Sequence, residues 1–226
     1  VDTQVVANAS ERYLVAGMGD AMATWYEAKV CIDNPAARNV LGGRPTLAAC
    51  ALGAMCASTL FAEGARAAAA VVNQQVDDSL EQVVEANTLL SGIGFESGGL
   101  AAAHGLAQGY TTVAEVEHNY LHGEMVAMGV VTQLMMQQQA EEARRVAEFF
   151  VAVGLPVQLA QMGLHAKDKA KLDSVVAGAL AFAPIHNLPF KVSAQEVLTG
   201  ILLADELGRD VSQQLGDAAY RRVQGR

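Results

Sequence analysis

Cysteine, tryptophan and charge are all scarce in this chain. Its 226 residues include three cysteines and one tryptophan, and charged residues make up 17% of the sequence, where ~25% is typical. Cys31, Cys50 and Cys56 are odd in number and have no Cys-x-x-Cys spacing, which argues against a disulfide framework and against a sulfur-ligated zinc. A reducing cytoplasm is the compartment that fits. Fifteen Lys and Arg against 24 Asp and Glu give a net charge of −9, the wrong sign for a protein that neutralises phosphates, so nucleic acid is not an expected partner. No charged, then apolar, then small-residue opening marks a secretory leader. The uncharged run 46–62 holds 17 residues, short of the ~20 that span a bilayer, and reads as a core helix rather than a membrane segment. The chain opens on Val1, which leaves open that a longer protein contains it.

What is abundant is alanine, with 41 residues. Alanine is the best helix former, and its small side chain lets helices approach closely. The expected fold is therefore all-α, an antiparallel array of roughly eight to ten helices forming one domain over 1–226. Residues 1–6 and 13–15 are the only candidate extended pieces. A helix is expected to start at the Gly17 to Asp20 turn and to stop near Asp33, Asn34 and Pro35. Thr46 is the expected N-cap of the next helix, running to Phe61. Asp77 to Ser79 should start another, ended by Gly92 and Gly94. Further helices are expected over 98–108, 122–139, 141–153, 157–163, 167–180 and 193–208.

Three of the five histidines, His104, His118 and His122, fall within 19 positions. His104 sits among alanines, where a buried imidazole needs a polar partner or a metal. His122 opens the helix that follows. His118 and His122 share the i, i+4 spacing, but position 119 is Asn, so the helical metalloprotease motif is absent. The pair His104 and His122 is preferred. Asp20, in Gly17-Met-Gly-Asp-Ala, offers a third, hard ligand. An Asp, His, His set with an open position is a catalytic zinc or iron arrangement. Spacing alone leaves the alternative open: structural histidines and an Asp favoured by a helix N-terminus. The glycine pairs at 17 and 19 and at 92 and 94 each lack the last glycine of a dinucleotide fingerprint, and neither a P-loop nor a Gly-x-Ser-x-Gly elbow is present.

The segment NTLLSGIGFESGGLAAAHGLAQGYTTVAEVEHNYLHGE, residues 87–124, resembles the metal-binding stretch of glycerol dehydrogenases in the iron-containing alcohol dehydrogenase superfamily. Gly17-Met-Gly-Asp-Ala-Met-Ala-Thr-Trp-Tyr-Glu-Ala, Gly42-Gly-Arg-Pro-Thr-Leu-Ala-Ala and Ile185-His-Asn-Leu-Pro-Phe resemble further blocks of that family, in order. The resemblance implies the all-helical C-terminal domain of dehydroquinate synthase-like, iron-type alcohol dehydrogenases. It implies Asp20, His104 and His122 as the metal ligands, with no other catalytic residue in this chain, and Phe95 as a wall of the glycerol pocket. Iron-dependent relatives carry a His four residues after the ligand Asp. Thr24 stands there in this chain, which implies three protein ligands and zinc over iron; another divalent metal stays open as the alternative to zinc. His118 matches a nearby position that is not a ligand, and His165 and His186 are expected to be surface or structural.

By the same resemblance, the function is NAD-dependent oxidation of glycerol, or a similar vicinal diol, at C2 to give dihydroxyacetone. NAD would be bound mainly by an N-terminal nucleotide domain absent from these residues, so activity of the chain alone is not implied, and its own cofactor-binding residues are not identified. A homo-oligomer, often an octamer, is implied, with neither nucleic acid nor membrane as partner. Two rivals remain: a metal-dependent hydrolase or oxygenase using the same three ligands, and a truncated, catalytically incompetent helical domain for metal binding or oligomerisation.

Overall fold

A computed structural model describes residues 1–225. Among them there is no strand, and the all-helical expectation holds. Residues 3–6 and 13–15 are helical rather than extended: α1 covers Thr3–Ala7 behind the extended N-cap Asp2, and Tyr13 to Val15 lie in the first turns of α2, Glu11–Asp33. Ser10 caps α2 by accepting from Arg12 N at 3.3 Å. Asp20 is therefore in mid-helix, not at a helix start. Two glycines inside a helix normally cost stability, but here they lie where a neighbouring helix comes too close for a side chain.

Thr46 caps α3, Leu47–Val72, as expected. The helix runs past Phe61 because Glu63 and Arg66 pair across one turn and the alanines beyond them sustain it. Among the described residues α3 is the one helix long and apolar enough to cross a membrane by length and composition. In this fold it packs along α2 and receives α4, Asp78–Glu85, and α5, Ser91–Gly98. Asp77 caps α4 through Leu80 N. A π-helical turn, Ala86–Leu90, joins α4 to α5, so Gly92 and Gly94 do not end the helix. At Gly94 a Cβ would come within 2.6 Å of the Thr24 methyl, so glycine admits a close crossing there instead of a break.

The second half begins with α6, Ala102–Tyr110, and the short α7, Ala114–Asn119. The apolar α8, His122–Met136, follows, with α9 over Ala140–Val153. A 3₁₀ turn replaces most of the helix expected over 157–163. Then come α10, Lys169–Ala181, α11, Ala194–Leu215, and α12, Ala218–Val223. Helix α8 packs on α6, α9 and α11, while α2 packs on α3, α5 and α8. The α2–α8 contact thus joins the two halves.

That contact is set by absent side chains. A Cβ on Gly123 would lie 1.8 Å from Ala16 O, and one on Gly19 would lie 2.4 Å from Gly123 O. The same device joins α8 to α6, where a Cβ on Gly129 would lie 2.2 Å from Ala103 O. Such contacts bring backbones together wherever the core is built of Ala, Val and Met rather than large rings. Gly123→Ala is expected to destabilise the protein by about 3 kcal/mol through overpacking. Gly92→Ala, whose Cβ meets open space, should stabilise its helix by up to ~1 kcal/mol. Chemical denaturation of the two variants compares these directly, and equal midpoints would contradict the packing account.

Candidate metal centre

Each residue of the candidate cluster sits beside a close helix contact. Asp20 follows Gly19, His122 precedes Gly123, and His104 follows Ala103, whose carbonyl faces Gly129. The glycine crossings therefore place all three side chains at one point, where α2, α6 and α8 meet. Asp20 Oδ1 lies 3.2 Å from His104 Nε2 and 3.7 Å from His122 Nε2. One ligand atom from each residue lies within 4.8 Å of the other two. Ligands of a tetrahedral ion with ~2.0 Å bonds are about 3.3 Å apart, so a small inward closure of the third atom completes the set. One carboxylate and two imidazoles suit zinc and similar divalent cations. The donor set fits such an ion.

The cluster forms part of the wall of a cavity of about 420 Å³, with Phe95, Thr24 and Ser91 among its other residues. Phe95 stands 5.7 Å from the His104 ring, centroid to centroid, and the His104 and His122 rings are 5.5 Å apart. The Thr24 hydroxyl hydrogen-bonds Ser91 Oγ at 3.0 Å and is not one of the three clustered groups. The volume falls within the range of small-molecule sites.

The histidines differ in surroundings. Burial disfavours an imidazolium at His104, but the Glu27 and Asp20 carboxylates outweigh it and raise its pKa to about 10. His122, more open, is lowered by burial, with His104 adding to the effect and Asp20 opposing it. Burial would raise the Asp20 pKa, yet the hydrogen bond and charge of His104 hold it below its ordinary value. The group facing His104 from behind is Glu27, which is 0% exposed and lies 2.6 Å from His104 Nδ1.

Of the residues singled out by sequence, Asp20, His104, His122 and Phe95 come together. His118, exposed on α7, is outside the cluster, and His165 and His186 are exposed on other surfaces. Cys56, near the base of the site, is a buried thiol whose pKa burial pushes up to about 12, so it is not a nucleophile. Sequence reasoning missed Glu27 and Glu124. Glu27 had a legible signal: with Asp20 and Thr24 it forms an i, i+4, i+7 series on one face of an apolar helix. Glu124 accepts from Leu121 N at 2.7 Å and from Arg12 Nε at 2.8 Å, fixing the first turn of α8 and hence His122.

No family model matches the chain. A glycerol dehydrogenase of Citrobacter freundii is 47% identical over 211 residues, covering 92% of this chain and 57% of that protein. A glycolaldehyde reductase of Halobacterium salinarum is 44% identical over 213 residues, 93% of this chain and 58% of its own length. The crystal structure of a probable glycerol dehydrogenase from Sinorhizobium meliloti superposes with a TM-score of 0.88 at 37% identity, covering 93% of this chain and 59% of that one. The chain thus spans a little over half the length of the relatives it matches. These likenesses place it among relatives of the polyol dehydrogenases, a class of oxidoreductase. More particularly, it is homologous over more than nine-tenths of its length to glycerol dehydrogenases.

In a calorimetric titration with zinc, the protein is expected to bind one ion. Asp20→Ala and His104→Ala should each weaken binding by more than the ~10- to 100-fold typical of losing a supporting group, while His118→Ala should leave it unchanged. Equal affinity in all three variants would remove these residues from the ligand set.

Proposed function

We propose that this chain supplies the metal-binding and substrate-facing side of an NAD-dependent glycerol dehydrogenase, which oxidises glycerol, or a similar vicinal diol, at C2 to dihydroxyacetone. The observation that carries this reading is the convergence of Asp20, His104 and His122 on a small cavity beside Phe95, in a chain homologous to glycerol dehydrogenases. Asp20, His104 and His122 would hold a divalent cation, zinc by preference because Thr24 offers no further imidazole. When bound, the cation supplies Lewis acidity that lowers the pKa of a substrate hydroxyl.

The chain's own residues do the rest of the positioning. Phe95 gives the cavity an apolar side, which excludes water and keeps the local dielectric low. The paired hydroxyls of Thr24 and Ser91 add polar character suited to a polyol to the cavity wall. NAD is proposed to be held mainly by residues outside these 226. Gly17 and Gly19 lie inside α2 and Gly92 and Gly94 inside α5, so neither pair forms the strand-to-helix phosphate turn of a dinucleotide site. A cytoplasmic homo-oligomer fits the three free thiols and the exposed side chains of Leu47, Met55 and Val72 along α3.

A second reading, a helical metal-binding or oligomerisation domain without turnover, is favoured by the exposed apolar side chains of Leu47, Met55 and Val72 along α3. NADH absorbance on adding glycerol and NAD separates the two when the chain is assayed in one polypeptide with a nucleotide-binding domain, since NAD is proposed to be held mainly outside these 226 residues. Turnover that falls about 1000-fold in His104→Ala and His122→Ala, the several kcal/mol that Lewis-acid catalysis supplies, supports the dehydrogenase. Zinc and NAD binding with no turnover in that two-domain polypeptide supports the second reading. Undiminished turnover in both variants would refute the site.

A further inference from the structure

The N-terminus of α6 is held by two buried side chains that divide its backbone donors between them. A helix start leaves about four N–H groups without helical partners, and no α6 side chain caps this one. Glu27 Oε1, from α2, accepts from Ala101 N at 2.8 Å and His104 N at 3.0 Å. Gln133 Oε1, from α8, accepts from Ala102 N at 2.9 Å and Ala103 N at 3.0 Å, while its Nε2 donates to Tyr26 O at 3.1 Å. Both side chains are 0% exposed. The division matters for what remains. With the neutral amide taking two donors, the carboxylate needs only one oxygen for the helix, and Glu27 Oε2 faces His104 Nδ1 at 2.6 Å.

We infer that Glu27 is the positioning residue of the metal centre: its second oxygen holds a proton of His104 on Nδ1 and so makes Nε2, which faces Asp20, the atom that ligates. This inference rests on the proposed metal site. The reasoning is one of donors and acceptors. A carboxylate offers only acceptors, so the short contact to Nδ1 requires N–H there, and Nε2 is then the ring nitrogen whose proton a bound cation displaces. A carboxylate behind a ligating histidine also increases the basicity of the ligand and fixes the ring plane. Gln133 shares the capping role of Glu27 but does not share its contact with the ring, which makes it the natural control.

Glu27→Gln keeps the size and one carbonyl oxygen. If that oxygen stays on Ala101 N and His104 N, the new amide N–H₂ faces Nδ1, forcing the proton onto Nε2 and blocking the ligand atom. The protein, Glu27→Gln and Gln133→Ala are compared by zinc calorimetry and by the visible spectrum of bound cobalt(II). Glu27→Gln should weaken zinc by 10- to 100-fold and alter the cobalt spectrum, whereas Gln133→Ala should lower the melting temperature with a much smaller effect on zinc. Zinc binding by Glu27→Gln equal to that of the parent, or weakened equally in both variants, would reduce Glu27 to a helix cap and overturn the inference. Should Glu27→Gln not fold, histidine ¹⁵N NMR of the zinc-loaded parent decides: a proton on Nδ1 with Nε2 shifted by the metal is expected, and a metal on Nδ1 is contrary. A parent protein that binds no zinc would instead refute the proposed metal site itself.

Discussion

The arrangement depends on how closely α2 and α8 approach each other. At Gly19 and Gly123 the two backbones touch without side chains between them, and the residues next to those glycines are Asp20 and His122. A Cβ at either position would drive the helices apart by more than a carboxylate and an imidazole can follow. The geometry of the three clustered side chains is thus a consequence of backbone packing. Rigid helices, rather than loops, carry all three groups, which is how a donor set is held near its binding geometry before any ion arrives.

The polar interior of the domain is concentrated on the same junction. Glu27 and Gln133 reach from α2 and α8 to the start of α6, and Arg12 of α2 reaches Glu124 beside His122. Buried charges are costly unless every oxygen finds a partner. Here the partners are the backbone donors of the helices that bear the histidines. The groups that would orient the ligands are therefore the same groups that satisfy the helix ends, so fold and site are coupled at the level of single hydrogen bonds.

Much of this was legible in the sequence. High alanine content and scarce aromatics indicated helices that pack closely, and Thr46, Asp77 and Ser193 announced helix starts that the structure contains. Asp20, His104, His122 and Phe95 were reached through residue chemistry and a specific resemblance. The misreadings around the glycines share one cause. Gly17, Gly19, Gly92 and Gly94 were read as punctuation, the usual role of glycine in an isolated chain, whereas three-dimensional packing uses Gly19 and Gly94 as contact points within continuous helices. Gln133 escaped because its partner is a backbone donor 31 residues away, which no local pattern records; Glu27 shares a helix face with Asp20, but its hold on a backbone donor 74 residues away is not written in that spacing.

The most direct test is a crystal structure of the zinc-loaded protein with anomalous data collected at the zinc edge. The account predicts one anomalous peak bonded to Asp20 Oδ1, His104 Nε2 and His122 Nε2, open toward the cavity beside Phe95. No peak at saturating zinc, or a peak bound by other residues while these three side chains turn apart, would contradict it.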